Sequence, residues 1–325
     1  MVLWYNKGGE KMKKLILLLL FFLIGCQSEY VTNETSFFAM DTYINIRVYS
    51  KQEEAKILKE AEELFMYYHR LTDRYNSYED VINVYDINNM KDDYLVLDEE
   101  LAYLVDFGLR YYEKSNGLFD IAMGDLIDVW KKHINEYDFL PDVEILKQVE
   151  KTEIMMVYNK IYSGVNIDLG GIAKGYAVLK VGELLENNGY DKFIINAGGQ
   201  VLLGESYRRD LYKVGIKHPL ESGNLLVVSG ENMNVSTSGS YERFFTIEEV
   251  NYHHIINPHT LFPADYFLSV SVISEDSLLA DVLTTVLFLM PLEEGMAFLE
   301  NYPAEAVWYT KDEEIIRSEG FHQYE

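Results

Sequence analysis

The 325-residue sequence predicts a single α+β domain, mixed in its order of helices and strands, behind a short N-terminal leader. Three observations carry that prediction. Hydrophobic residues make up 48% of the chain, enough for a large core and too many for a disordered one. Segments with helical spacing interleave with segments that alternate at period two. No fixed-period repeat or linker divides the chain after residue 35, and only 6 prolines are present. One domain, with two lobes allowed, is therefore expected over residues 36–325.

The leader comes first. Lys11, Lys13 and Lys14 precede an unbroken apolar run from Leu15 to Ile24. That run is too short to span a bilayer and has the length of a signal-peptide core. It ends in Leu23-Ile24-Gly25-Cys26, which resembles a bacterial lipobox, and Cys26 is the only cysteine of the chain. Residues 1–25 are read as a signal peptide, with Met12 the expected true start. Residues 26–35 are read as a lipidated tether. No intramolecular disulfide can form.

The elements follow in order. Ile44, Ile46 and Val48 alternate as a strand. Ser50 and Glu53 carry a capping-box signature ahead of Ile57, Leu58, Ala61, Leu64, Phe65 and Tyr68, which repeat with helical spacing. A second helix is expected from Asp98, with Leu101, Leu104, Val105 and Leu109 on one face, and a short third one opens at Pro141. From Val165 the pattern reads strand, glycine turn, helix, then a strand at Phe193–Ile195. Further strands are expected at Leu211–Ile216, Leu225–Val228, Leu268–Val272 and Ala306–Tyr309. A helix from Asp276 to Met290 precedes the last of these.

The formal net charge of −25 argues against a nucleic-acid partner, because a phosphate backbone requires a basic face. Three clusters hold the residue types that chemistry needs. Asp168-Leu-Gly-Gly-Ile-Ala-Lys-Gly175 places glycines and Lys174 at a helix start. Free N–H groups and a positive charge there suit phosphate oxygens, although a plain strand-to-helix turn would read the same way. Its spacing fits neither a Walker A loop nor a dinucleotide fingerprint. On the late helix, Asp281, Thr284 and Thr285 are the only polar residues between Leu278 and Met290. Asp281 and Thr285 share a face and form a hard-oxygen pair suited to Mg²⁺, or else simply bond to each other. In Tyr252-His-His-Ile-Ile-Asn-Pro258, adjacent strand residues point to opposite faces. One histidine is then buried or catalytic and the other exposed. A histidine there suits proton transfer from a hydroxyl.

These clusters, in this order, resemble the ApbE family of FAD:protein FMN transferases. The resemblance also rests on Phe38-Ala-Met-Asp-Thr-Tyr43, Tyr75-Asn-Ser-Tyr78 with Ile87-Asn88, and Gly117-Leu-Phe-Asp120 with Leu126 and Trp130. It continues in Asn196-Ala-Gly-Gly199, Thr237-Ser-Gly239 with Tyr241, and Ala280-Asp-Val-Leu-Thr-Thr285. It implies an ApbE-like fold and a Mg²⁺-dependent transfer of FMN from FAD to a Thr or Ser hydroxyl of another protein, with release of AMP. The acceptor it implies is an exported flavoprotein subunit of a membrane redox complex. A chain anchored through lipid on Cys26, at the extracytoplasmic face of the cell membrane, would meet it there.

The resemblance also implies roles. Ala173 (through its carbonyl), Asp281 and Thr285 would hold Mg²⁺. Lys174 would lie near the phosphates and His254 would accept the acceptor hydroxyl's proton. Met40, Tyr78, Asp120 and Thr237 would join Lys174 and His254 in binding FAD. The sequence departs from the family pattern at Asn257 (usually Asp), Leu261 (usually Gly), Ala122 (usually Thr) and Asp125 (usually Pro). Two other functions use the same residues: hydrolysis of FAD to FMN and AMP, and non-enzymatic flavin binding by a lipoprotein.

Overall fold

The computed structural model describes residues 30–325 apart from 137–138, 150–152, 163, 165 and 242–243. The leader, Met12, Cys26 and Val165 lie outside the described residues. No helix among those described is long and apolar enough to cross a membrane.

The frame is an eight-stranded sheet in which every pairing is antiparallel. Its strands are β1 (Val31–Ala39), β2 (Thr42–Ser50), β6 (Phe193–Ala197), β7 (Gln200–Leu203), β10 (Met233–Gly239), β13 (Phe267–Ser274), β14 (Ala304–Thr310) and β15 (Ile315–Arg317), in that spatial order. The alternation at Ile44, Ile46 and Val48 buries all three on one face, as period two requires. β1 begins at Val31, so residues 31–35, expected in the tether, pair with β2 instead. Smaller sheets are β3 (Tyr94–Val96) with β4 (Met156–Val157) and β5 (Lys160–Tyr162), the hairpin β8 (Tyr212–Lys217) and β9 (Asn224–Gly230), and the hairpin β11 (Phe244–Ile247) and β12 (Val250–His253).

Both faces of the large sheet are covered. On one face lie α1 (Ala55–Leu71), α6 (Ala173–Asn187) and α7 (Ser277–Phe288), sharing a core with Ile44, Ile195, Val270 and Trp308. On the other, Val235, Ile273 and Val307 pack with Val214, Ile216 and Val228 of the β8–β9 hairpin and with Phe321. The remaining helices are α2 (Val84–Asn88), α3 (Glu99–Lys114), α4 (Gly124–Glu136), α5 (Val143–Gln148) and α8 (Leu292–Leu299). A satellite core of Met123, Leu126, Trp130, Leu146 and Ile256 joins α4 and α5 to the segment after β12.

Three local expectations are corrected. Ser50 does not cap α1, because it is the last residue of β2. The α1 entrance is instead tied across the sheet, where Asn33 Oδ1 accepts the Glu54 N–H at 2.8 Å. Pro141 precedes α5 rather than opening it, and Asp142 supplies the cap through the Glu144 N–H. The run before the glycine turn is not a strand. Ile167 N donates to Asn88 Oδ1 at 2.7 Å, a side-chain substitute for a ladder bond. By contrast, α3 and α7 start at Asp98 and Asp276 as the sequence predicts, and both side chains cap their helices.

Candidate active site

The sheet register gathers the predicted residues at one end. β1 and β2 meet there in a two-residue loop, Met40-Asp41, with φ of 50° and 57°. Positive φ at both positions is the geometry that matches hairpin twist; Asp41 tolerates it, whereas Met40 is strained. Ile44 pairs with Ala197, and Gly198 N donates to Tyr43 O, so the glycine turn between β6 and β7 is beside that loop. Val201 pairs with Val235, which brings the C-terminal end of β10 to the same edge. Gly239 pairs with Ser269, so the chain entering β13 arrives there too.

α7 lays its one carboxylate across the start of α6. Asp281 is buried, and both of its oxygens are engaged. Oδ2 accepts the Gly175 N–H at 2.8 Å, while Oδ1 lies 3.3 Å from Lys174 Nζ and 3.3 Å from Ser236 Oγ. Such a network is what allows a carboxylate on an otherwise apolar helix. Gly175 is required at the crossing, because a Cβ there would stand 2.6 Å from Asp281 Cβ. One turn on, Thr285 faces Gly171, and a Cβ on Gly171 would lie 3.8 Å from Thr285 Oγ1. The segment of Ala173 and the helix of Asp281 and Thr285 therefore touch. Lys174 Nζ also donates to Gln200 Oε1 at 3.1 Å, and Gln200 Nε2 donates to Ser277 O at 2.9 Å. Gln200 carries no signal in the sequence, because a lone Gln there has no spacing pattern to mark it.

The expected phosphate cradle of backbone donors is not present in that form. Ile172 N and Ala173 N donate to Leu169 O, Gly170 N to Asp168 Oδ1, and Gly175 N to Asp281. The turn satisfies most of its own donors, and the Lys174 ammonium beside it is shared between Gln200 Oε1 and Asp281 Oδ1. Asp168 is fixed from its other oxygen by Arg74 at 3.3 Å, which also reaches Asp128 at 2.9 Å. Burial works against the Arg74 charge, but the two carboxylates prevail and its pKa is raised.

Around this centre, Tyr78 donates to Asp73 Oδ2 at 2.8 Å. Burial and that carboxylate raise the Tyr78 pKa, so it stays a neutral phenol. Met40 N donates to His69 Nδ1 at 3.3 Å. Asp120 Oδ1 accepts the Ala122 N–H, and neighbouring Phe119 packs onto Gly171. Thr237 does not join Asp281. Strand alternation turns it to the opposite face, where its hydroxyl is 2.8 Å from Ser271 Oγ.

The two histidines divide as their alternation predicts. His253 is buried, with Nε2 donating to Ala264 O at 2.8 Å and Nδ1 accepting the Ile255 N–H. Burial lowers its pKa to about 4, so it is a neutral structural imidazole. His254 follows β12 and is exposed. The loop after it is built from turn chemistry. Asn257 Oδ1 accepts the N–H groups of His259 and Thr260, which is the role an Asp would fill there. Leu261 sits at φ 65°, where Gly is the unstrained residue, and its carbonyl accepts Trp130 Nε1–H at 2.9 Å. Gly117 places the Gly117–Asp120 segment beside this loop, since a Cβ there would be 3.4 Å from His259 Nε2. Asp125 Oδ1 accepts from Asn166 Nδ2.

Asp281, Thr285 and the Ala173 carbonyl are hard oxygen donors, and their chemistry fits Mg²⁺. Among the described residues no group of three or more His, Cys, Asp or Glu is placed to hold a metal. A site here therefore depends on one carboxylate and neutral oxygens.

The ApbE family profile matches residues 40–308. An FAD:protein FMN transferase from Treponema pallidum is 31% identical over 307 residues, covering 86% of this chain and 84% of the relative. The crystal structure of the ApbE protein from Thermotoga maritima is similar with a TM-score of 0.83 at 27% identity, over 91% of this chain and 99% of that one. The flavin transferase ApbE from Vibrio cholerae has a TM-score of 0.77 at 20% identity, over 91% and 100%, which bears on fold alone. With the glycine turn, the Asp281 helix and the histidine loop brought to one end of the same fold, the chain belongs to the ApbE family.

Proposed function

We propose that this chain is an FAD:protein FMN transferase that moves the FMN half of FAD onto a Thr or Ser hydroxyl of a target protein and releases AMP. The relatives' shared activity supports this reading. The observation that carries it is the Asp281 carboxylate, aimed from an apolar helix at Lys174 and the first turn of α6.

Asp281, Thr285 and the Ala173 carbonyl would hold Mg²⁺, which when bound neutralises pyrophosphate charge and stabilises the phosphate leaving with AMP. Lys174 adds a cation for the phosphate oxygens, held in place by Gln200. Met40, Tyr78 and Asp120 bind the rest of FAD. His254, on the exposed loop, takes the proton from the acceptor hydroxyl. That oxygen bonds to the FMN phosphorus, and the P–O bond to AMP breaks with its electron pair on AMP. Orientation of the two phosphates and the hydroxyl is the main contribution of the protein.

The acceptor in this reading is an exported flavoprotein subunit of a membrane redox complex. The chain meets it from a lipid anchor on Cys26 at the extracytoplasmic face, after removal of residues 1–25. Incubation with FAD, Mg²⁺ and candidate acceptor domains tests the reading. Flavin fluorescence on the acceptor in a denaturing gel is expected; free FMN alone would assign hydrolysis, and unchanged FAD would leave a binding protein.

A further inference from the structure

β10 and α7 meet along a polar seam. Asn234, Ser236 and Ser238 share one face of β10 at alternate positions. Ser277, Asp281 and Thr284 share one face of α7 at helical spacing. Two rungs join them. Ser236 Oγ donates to Asp281 Oδ1 at 3.3 Å, and Ser238 Oγ donates to Thr284 Oγ1 at 3.0 Å. Strand and helix run in the same direction along the seam. Stepping back two residues on the strand covers roughly 7 Å, and four on the helix about 6 Å. That step leads from the Ser236–Asp281 rung to Asn234 and Ser277.

Both are fully buried, at 0% exposure. Among the described residues, Asn234 Oδ1, Asn234 Nδ2 and Ser277 Oγ have no hydrogen-bond partner. Unpaired polar atoms in a core are costly, and native proteins satisfy such groups with ordered water. We infer that Asn234 and Ser277 bind buried water as the third rung of this seam, and that Asn234 is a positioning residue for the Asp281–Lys174 centre. The rung closes a ring. From Ser277 it runs through the Ser277 carbonyl to Gln200, to Lys174, to Asp281, and back through Ser236 to β10. Loss of the rung leaves the Asp276 cap in place but removes the anchor of the Ser277 side chain, beside the carbonyl that orients Gln200.

The functional half of this inference rests on the transferase reading; the water does not. A crystal structure of the wild-type protein at high resolution is expected to show water within hydrogen-bond reach of Asn234 and Ser277. A direct Asn234–Ser277 bond without water would overturn the site. Asn234→Leu is expected to lower kcat for FMN transfer about tenfold with KM for FAD changed less than twofold, while Asn234→Ser, which retains a polar anchor for water, keeps at least half of wild-type kcat. Equal activity of the Leu variant and wild type, or failure of Ser to rescue, would refute the positioning role. If Asn234→Leu does not fold, Ser277→Ala takes its place with the same expectation. Absence of all transfer by the wild type would instead remove the transferase reading and leave the crystallographic test standing.

Discussion

The two halves of the site are built in opposite ways. The Asp281 half is core. Its carboxylate is buried between two helices and a strand, and every contact it makes crosses from one element to another. The His254 half is surface. Its loop is held by local turns, an Asx bond from Asn257, and a Leu at positive φ tied to Trp130. Substitutions in the first half should therefore disturb folding and chemistry together, whereas those in the second should separate them.

The sharpest separation is expected from two alanine variants. Asp281→Ala is expected to abolish FMN transfer and to lower stability by about 1–3 kcal/mol, because the buried Gly175 N–H loses its acceptor. Circular dichroism and thermal melting, read beside the transfer assay, check both. His254→Ala is expected to slow transfer on the order of 10²–10⁴-fold as a lost general base. Its unfolding free energy should stay within about 0.5 kcal/mol of wild type, as for most exposed positions. A large stability loss in this variant would erase the contrast.

A pH titration sharpens it next. His253 is neutral when folded, with a pKa of about 4 against 6.5 for the free side chain. The unfolded chain therefore binds more protons than the folded one below pH 6.5. Stability should fall as pH drops from about 6.5 to 4, by up to about 3 kcal/mol, and the contribution levels off below that. His253→Gln should flatten this window in denaturant melts at a series of pH values. The smallest effect is expected from Gly175→Ala. Its methyl would meet Asp281 and the Ser277 carbonyl, pushing the helices apart at a cost of about 1–3 kcal/mol. Transfer should fall with it, measured at a temperature where the variant is folded.

Much of this arrangement was legible in the sequence. α7 was, because ten apolar residues among thirteen, behind an Asp, read as a buried helix. The glycine turn is legible in the sequence, but the partners of most of its donors are not. Backbone N–H groups at a helix start look free in sequence, and only the fold reveals Leu169 O and Asp281 as their acceptors. The first five residues of β1 read as tether because their one apolar residue, Val31, sits among Thr, Asn and Glu, and the strand's burial depends on α1. α4 was overlooked although Leu126, Trp130 and His133 repeat at helical spacing. Arg74 with Asp168, 94 residues apart, left no local trace. Thr237 was assigned by its motif, whereas its direction followed from the register of β10. Short-range patterns name elements well; which face meets which neighbour is a property of the sheet.

In the proposed reaction Asp281 anchors a divalent cation beside Lys174, where FAD is cleaved. The most direct test is an acceptor domain incubated with FAD and either wild type or Asp281→Ala, in Mg²⁺ or in excess EDTA, then run on a denaturing gel under ultraviolet light. A fluorescent acceptor band only with wild type in Mg²⁺ is the predicted result. A band of equal strength from the Asp281→Ala lane would show that transfer does not need this carboxylate, and one from wild type in EDTA that it does not need a divalent cation.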